Sequence, residues 1–106
     1  TLKPGGEVDI GDRYWWPVTE GICALASLLK LEGRDGDETW YRRLWRFADM
    51  RFVDHDRGGW YPELDDDGAP EGRQFTGKPD IYHALQAELY PLAPGLSRQV
   101  EGLGTL

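Results

Sequence analysis

The stretch Lys78–Ala87, which reads KPDIYHALQA, decides how the rest of this sequence is interpreted. A proline suits the first turn of a helix, where its missing N–H has no partner within the helix, and Asp80 complements the positive end of the helix dipole. We therefore predict a helix that begins near Pro79. The 3.6-residue period places His83 on the side that faces away from the most apolar stripe. That stripe holds Ile81, Leu85 and Leu92.

His83 is one of two histidines in the 106 residues, and it is the first candidate for chemistry. Imidazole is the side chain that both takes and gives protons near neutral pH, as general acid–base catalysis requires. The alternative is a structural histidine whose nitrogens are satisfied by neighbours or water. The surroundings of His83 must decide between the two.

Composition limits the classes of protein. A length of 106 residues suits one small domain with one core, and 12 basic against 19 acidic residues give a net charge of −7. That charge disfavours nucleic acid and anionic membranes as partners. The single cysteine, Cys23, excludes a disulfide framework or a cysteine-rich zinc site within these residues and indicates a reducing compartment. We predict a cytoplasmic protein with no cofactor and no metal.

A first long helix is predicted from the segment after Asp12, its expected N-cap, to Glu32, with Gly33 as the stop. Its apolar stripe holds Val18, Ile22, Leu25 and Leu29. The opposite face holds Trp16, Glu20, Cys23, Ala24 and Ser27. A carboxylate among a tryptophan and small residues indicates a face that lines a pocket. The alternative is that Glu20 is an ordinary exposed glutamate of the first turn, stabilised by the helix dipole.

A second helix is predicted from about Asp37, after the turn Gly33–Gly36, because Asp35 and Glu38 have capping-box spacing. Its buried face is expected to hold Trp40, Leu44, Phe47 and Ala48, extended by Tyr41, Trp45 and Phe52. A short β-hairpin follows near residues 58–68, after a polar turn in which His55 is expected to be exposed. The acidic run Asp65–Asp67 does not have the ligand register of a calcium loop, so no metal is assigned.

Three motifs together resemble a known family. They are Tyr14–Glu20 (YWWPVTE), Gly58–Leu64 (GGWYPEL) and Gly77–Gln86 (GKPDIYHALQ). In order and spacing they resemble the C-terminal part of the N-acylglucosamine 2-epimerase superfamily. The third motif is similar to the aldose–ketose isomerase branch, which includes the mannose isomerases and the sulfoquinovose isomerase.

The resemblance implies a mainly α fold, in which residues 1–106 are a single incomplete domain of helical hairpins from the C-terminal part of an (α/α)6 barrel. It implies proton transfer between adjacent sugar carbons through an enediol, run by two histidines of which His83 is one. Glu20 would be the catalytic partner of His83 and its neighbour in space. The substrate-binding residues would be Trp16, Tyr82 and Gln86, with a monosaccharide as ligand.

The family's second histidine has no counterpart before Tyr14, so we expect a fragment that is inactive alone and that self-associates through exposed helix faces. Two alternatives stay within sugar binding: a non-catalytic sugar-binding or assembly piece, and an N-acylglucosamine 2-epimerase proper. A third, an (α/α) glycoside hydrolase, would need two carboxylates such as Glu20 and Glu63. The residues from Gly95 to Leu106 are expected to form a loosely held tail or the approach to another helix.

Overall fold

A computed structural model describes residues 1–96, and the predicted tail lies outside this range from residue 97 onward. The described part is mainly helical, with one small antiparallel sheet. In chain order its elements are β1 (Arg13–Tyr14), α1 (Trp15–Leu31), α2 (Asp35–Phe47), a π-helical turn (Ala48–Phe52), β2 (Glu63–Leu64), α3 (Ile81–Leu89) and a 3₁₀ turn (Tyr90–Leu92).

Helix α1 follows β1 without an intervening turn. Tyr14 occupies the N-cap position and makes no side-chain capping bond, so the prediction that Asp12 caps this helix is wrong. The Asp12 carboxylate instead accepts a hydrogen bond from Arg73. Gly33 ends the helix as predicted: its φ of 65° lies in the left-handed region, and its N–H donates to the carbonyl of Leu28 at 3.2 Å.

Helix α2 packs against α1 but begins at Asp35, two residues earlier than predicted, and no side chain caps it. Its first turn is acidic, which suits the positive end of the helix dipole. A Cβ at Gly21 of α1 would lie 2.8 Å from Leu44, so the glycine permits the close approach of the two helices. Trp40 was expected in the buried face, but 60% of it is exposed.

Strand β2 pairs with a strand far away in sequence. Tyr14 lies opposite Glu63, and Arg13 lies opposite Leu64, in an antiparallel pair. The hairpin expected near residues 58–68 is reduced to isolated bridges, Val53 with Trp60 and Leu64 with Pro70. Pro62 has no backbone N–H to donate, but its carbonyl oxygen accepts a hydrogen bond from the N–H of Trp15, the first residue of α1, at 3.1 Å.

Helix α3 begins at Ile81, two residues after Pro79, and Asp80 is its N-cap, with a carboxylate oxygen 2.9 Å from the Tyr82 N–H. The side of α3 that carries His83 is the one that packs against α1. Tyr90 on that side is buried, and its hydroxyl lies 2.8 Å from Ser27 of α1. The stripe predicted to be most apolar is exposed: Ile81 (75%), Leu85 (43%) and Leu92 (59%).

The core joins α1, the π-helical turn, β2 and α3. Its buried members are Trp15, Val18, Ile22, Ala48, Phe52, Trp60, Leu64 and Ala87. The stripe predicted for α1 is shifted in the structure, since Ala26 is buried while Leu25 is half-buried. This arrangement places Glu20, in the second turn of α1, beside the first turn of α3, where the candidate site lies.

Candidate active site

Glu20 and His83 meet at the contact between α1 and α3. The His83 Nδ1 atom lies 3.0 Å from Glu20 Oε1, although 63 residues separate them. The two side chains are 29% and 50% exposed, so the pair is partly shielded but open to solvent. The prediction that these residues are neighbours, made from the family resemblance together with the helix periods, is therefore confirmed.

The contact favours one protonation pattern on the imidazole. An ionised carboxylate only accepts hydrogen bonds, so Nδ1 must carry the hydrogen that it shares with Glu20. In the neutral ring this leaves the lone pair on Nε2, which can then accept a proton from another molecule. Glu20 thus orients a base and also stabilises the imidazolium that forms when the base is protonated.

Aromatic rings surround His83. Trp15 and Tyr82 contact the imidazole edge to face, with centroids 6.1 Å and 5.1 Å away, and Phe75 contacts Trp15 in the same way at 5.2 Å. Edge-to-face contacts prefer defined ring orientations, so these neighbours restrict how the imidazole can turn.

The residues predicted to bind substrate are placed unequally. Tyr82 is 66% exposed and touches His83. Trp16 is 44% exposed and lies one turn before Glu20 on α1, and Gln86 is half-buried one turn after His83 on α3. Within residues 1–96 neither Trp16 nor Gln86 makes a hydrogen bond or ring contact with His83, so helix position alone links them to the site.

Cys23 lies about one turn from Glu20 on α1. Burial, and secondly the charge of Glu20, raises the pKa of its thiol above the ordinary value. Such a thiol stays protonated near neutral pH, and the thiol is a much weaker nucleophile than the thiolate. Cys23 therefore belongs to the small-residue surface of the site and not to its reactive groups.

Two further properties concern metals and membranes. Among the residues that the structure describes, no three histidine, cysteine, aspartate or glutamate side chains converge in a way that could hold a metal ion. None of the described helices is both long enough and apolar enough to span a membrane.

A charged cavity that sequence reasoning missed lies near the start of α3. It has a volume of about 470 Å³, and its lining residues are Asp54, Asp56, Arg57, Tyr61, Gly77 and Lys78. The hydrogen bond from Lys78, opposed by burial and helped by two backbone N–H groups, lowers the pKa of Asp54 to about 2. Lys78 also lies 4.5 Å from the centre of the Tyr61 ring. An aspartate that opens a polar turn was the available signal, but nothing in the sequence identified its lysine partner.

A second missed cluster joins two carboxyl groups. Glu63 is fully buried and accepts hydrogen bonds from the backbone N–H groups of Gln74 (2.9 Å) and Phe75 (3.4 Å). Burial, and then a hydrogen bond with Glu63, raises the pKa of Asp12. A fully buried Glu63 cannot flank a glycosidic bond from the surface of this fold, so the pairing with Glu20 that a glycoside hydrolase would need is not formed.

Comparison with known proteins identifies the family of this chain. The family model of N-acylglucosamine 2-epimerase (GlcNAc 2-epimerase) matches residues 1–87. The chain belongs to this family. Its curated relatives include a D-mannose isomerase of Pseudomonas cannabina pv. alisalensis, 40% identical over 94 residues, and one of Thermobifida fusca, 42% identical over 99 residues.

These matches cover most of the chain but a small part of each relative. They take in 86% and 90% of this chain against 23% and 24% of the two D-mannose isomerases, so the chain spans about a quarter of their length.

Solved structures of related enzymes have a similar fold. A crystal structure of a D-mannose isomerase matches 99% of this chain and 24% of its own, with a TM-score of 0.70 and 27% identity. The cellobiose 2-epimerase of Bacillus thermoamylovorans B4167 matches 90% of this chain and 22% of its own, with a TM-score of 0.62 and 20% identity. The predicted mainly helical fold, which matches the (α/α)6 barrels of these epimerases and isomerases, is confirmed.

Proposed function

We propose that this chain forms part of a sugar aldose–ketose isomerase that acts on D-mannose, with His83 as one of its acid–base groups. The contact between His83 and Glu20 carries the proposal, because it presents an oriented imidazole that is partly open to solvent. Relatives named D-mannose isomerase, 40% and 42% identical to this chain, support mannose as the first substrate to test.

The proposed chemistry needs one proton to move between neighbouring carbons of the open-chain sugar. The base removes the hydrogen from C2 of the aldose, and the C1 carbonyl oxygen gains a proton, which gives an enediol. Loss of the proton on O2 and return of a proton to C1 then give the ketose. His83 Nε2 takes or returns the carbon-bound proton, and Glu20 holds Nδ1–H throughout. A positioned group of this kind contributes about 10²- to 10⁴-fold in rate.

Sugar binding is assigned to three residues around the pair. The exposed part of Trp16 offers a ring face to the apolar side of a sugar. Tyr82 supplies a phenol and Gln86 an amide, which can exchange hydrogen bonds with sugar hydroxyls. All three lie within one turn of Glu20 or His83 on the same two helices.

Activity is proposed for the whole protein and not for these 106 residues alone. In this proposal they are the C-terminal part of the barrel domain of a cytoplasmic enzyme, and a second histidine outside them completes the proton transfer. An open site lets water compete for the charged groups, which weakens the electrostatic stabilisation of the enediol. The proposed ligand of the whole protein is a monosaccharide and not a nucleic acid.

The test uses the full-length product of the gene that encodes this chain. D-mannose, D-lyxose, sulfoquinovose and N-acetylglucosamine are supplied separately, and products are resolved by chromatography and NMR. D-fructose from D-mannose is the expected result. A 2-epimer of N-acetylglucosamine without any ketose would support the epimerase alternative. Saturable mannose binding without turnover would support the non-catalytic one.

A further inference from the structure

We infer that Glu63, which lies outside the His83 site, is a positioning residue for it. Glu63 holds the segment Glu71–Phe75 against the β1–β2 pair, and this segment presses Phe75 onto Trp15, the ring that packs against His83. The inference rests on the proposed role of His83 as an acid–base group.

The first step is the anchoring of the segment by Glu63. Its carboxylate accepts the N–H groups of Gln74 and Phe75 at 2.9 and 3.4 Å, and its backbone carbonyl accepts the N–H of Glu71 at 2.9 Å. One buried residue thus receives three backbone hydrogen bonds from a segment that has no regular secondary structure. A buried acceptor that receives N–H groups is costly to remove, because the donors are then left unsatisfied.

Asp12, the residue that precedes β1, completes the anchor. Arg73, within the same segment, donates to the Asp12 carboxylate at 2.6 Å. The Asp12 side chain is 4% exposed and interacts with the Glu63 carboxyl group. Arg73 therefore ties the segment to the residue that precedes β1.

The second step is the chain of rings from Phe75 to His83. Phe75 contacts Tyr14 and Trp15 edge to face at 5.5 and 5.2 Å, and Trp15 contacts His83 at 6.1 Å. Trp15 is 7% exposed, so its ring has little other freedom once Phe75 is in place. A displacement of about 1 Å at a reacting group can cost about 100-fold in rate. A shift of Phe75 would therefore be passed to the His83 ring through one intervening side chain, Trp15.

Two substitutions at Glu63 distinguish the loss of its hydrogen bonds from the loss of its buried volume. Glu63→Gln keeps the shape of the side chain and an oxygen that can accept the two N–H groups. Glu63→Leu keeps a similar volume and removes the acceptor. In the full-length protein we expect Glu63→Gln to retain kcat within about threefold. We expect Glu63→Leu to lower kcat by at least about tenfold with little change in KM, because the effect is on the geometry of the reacting group.

Phe75→Ala keeps the inference testable if Glu63→Leu fails to fold, because Phe75 is 37% exposed and lies outside the core. It should lower kcat to a similar degree. The double variant should lose no more than the worse single one, since both act through the same contact. Hydrogen–deuterium exchange of residues 71–76 should rise in Glu63→Leu and stay at the wild-type level in Glu63→Gln. Glu38→Leu, at an exposed carboxylate on α2, is the matched control and should change neither readout.

The inference is overturned if exchange in residues 71–76 is the same in Glu63→Leu as in wild type. It is also overturned if Phe75→Ala leaves kcat unchanged, or if the two losses multiply in the double variant. Failure of the proposed function has a different signature, because the wild-type protein would then turn over none of the sugars while the exchange contrast at Glu63 persisted.

Discussion

Each of the two histidines of this chain lies the same distance from a carboxylate, but the two pairs differ in burial and in how they are held. His83 Nδ1 lies 3.0 Å from a Glu20 oxygen, and His55 Nε2 lies 3.0 Å from an Asp49 oxygen. His55 is 64% exposed, and its partner is six residues away, so one local turn makes the contact. His83 is 29% exposed, and its partner belongs to another helix.

The difference teaches that a short distance between imidazole and carboxylate does not by itself make a site. The His55 pair is surrounded by water, where an ion pair contributes little and the ring can leave its partner. The His83 pair is held by the packing of α1 on α3 and by the rings of Trp15 and Tyr82. Only the second arrangement fixes an imidazole in one orientation for a substrate.

The largest effect on kcat is expected when each histidine is replaced in turn in the full-length protein. His83→Ala should lower kcat for D-mannose by at least about 100-fold, because it removes a positioned acid–base group. His55→Ala, the matched control, should stay within about twofold of wild type. A fall of only a few-fold in His83→Ala would reduce His83 to a binding residue and remove the distinction between the two pairs.

The next largest effect is expected from amide substitutions, which remove the charge of each histidine's carboxylate partner and keep the shape of its side chain. Glu20→Gln should lower kcat by more than about tenfold, equivalent to roughly 1.4 kcal/mol of transition-state stabilisation, and shift a limb of the pH–rate profile. Asp49→Asn should leave kcat and the profile unchanged. Wild-type kinetics with an unmoved profile in Glu20→Gln would mean that Glu20 is an ordinary surface glutamate.

A third pair sharpens the comparison because its acid is buried. Lys78 holds the pKa of Asp54 at about 2 against an ordinary 3.8. The unfolded chain therefore takes up this proton first, so the stability due to the pair is complete above pH 3.8 and is lost as pH falls towards 2. Asp54→Asn should remove that part of the pH dependence in urea unfolding, while Asp56→Asn at the exposed rim should not. An unchanged pH dependence in Asp54→Asn would contradict the lowered pKa of Asp54.

The smallest effect concerns the two faces of α3. The face with His83 packs on α1, whereas Leu85 and the rest of its stripe are exposed, and we propose that the isolated 106-residue chain self-associates there. In sedimentation velocity, Leu85→Glu should shift the chain towards the monomer. Thr39→Glu, at an exposed site on α2, should not. Equal sedimentation of wild type and Leu85→Glu would refute association through this face.

Sequence reasoning succeeded where the physics is local. Gly33 marks the end of α1 because only a flexible residue accepts its φ of 65° without strain, and Asp80 lies at the start of α3 because its carboxylate caps the second N–H of the helix. The helical period placed Glu20 and His83 each opposite the apolar stripe of its own helix, and the family resemblance placed both at one pocket.

The failures are contacts between distant segments or choices between helix faces. The pairing of β1 with β2 joins residues about fifty positions apart, and two-residue strands carry no periodic signal. The buried anchor at Glu63 was missed because a glutamate is buried only when partners satisfy it, and those partners come from another segment, Glu71–Phe75. Trp40 was expected to be buried because it is hydrophobic, but hydrophobicity does not identify the segment against which a side chain packs.

Isomerisation of D-mannose in deuterated water tests the central claim most directly. The full-length protein should release D-fructose that carries solvent deuterium at C1, and mannose recovered before equilibrium should carry deuterium at C2. Both signals should disappear in His83→Ala and persist in His55→Ala. Fructose without deuterium, or deuterium incorporation at the wild-type rate in His83→Ala, would contradict the assignment of His83 as the group that moves the proton.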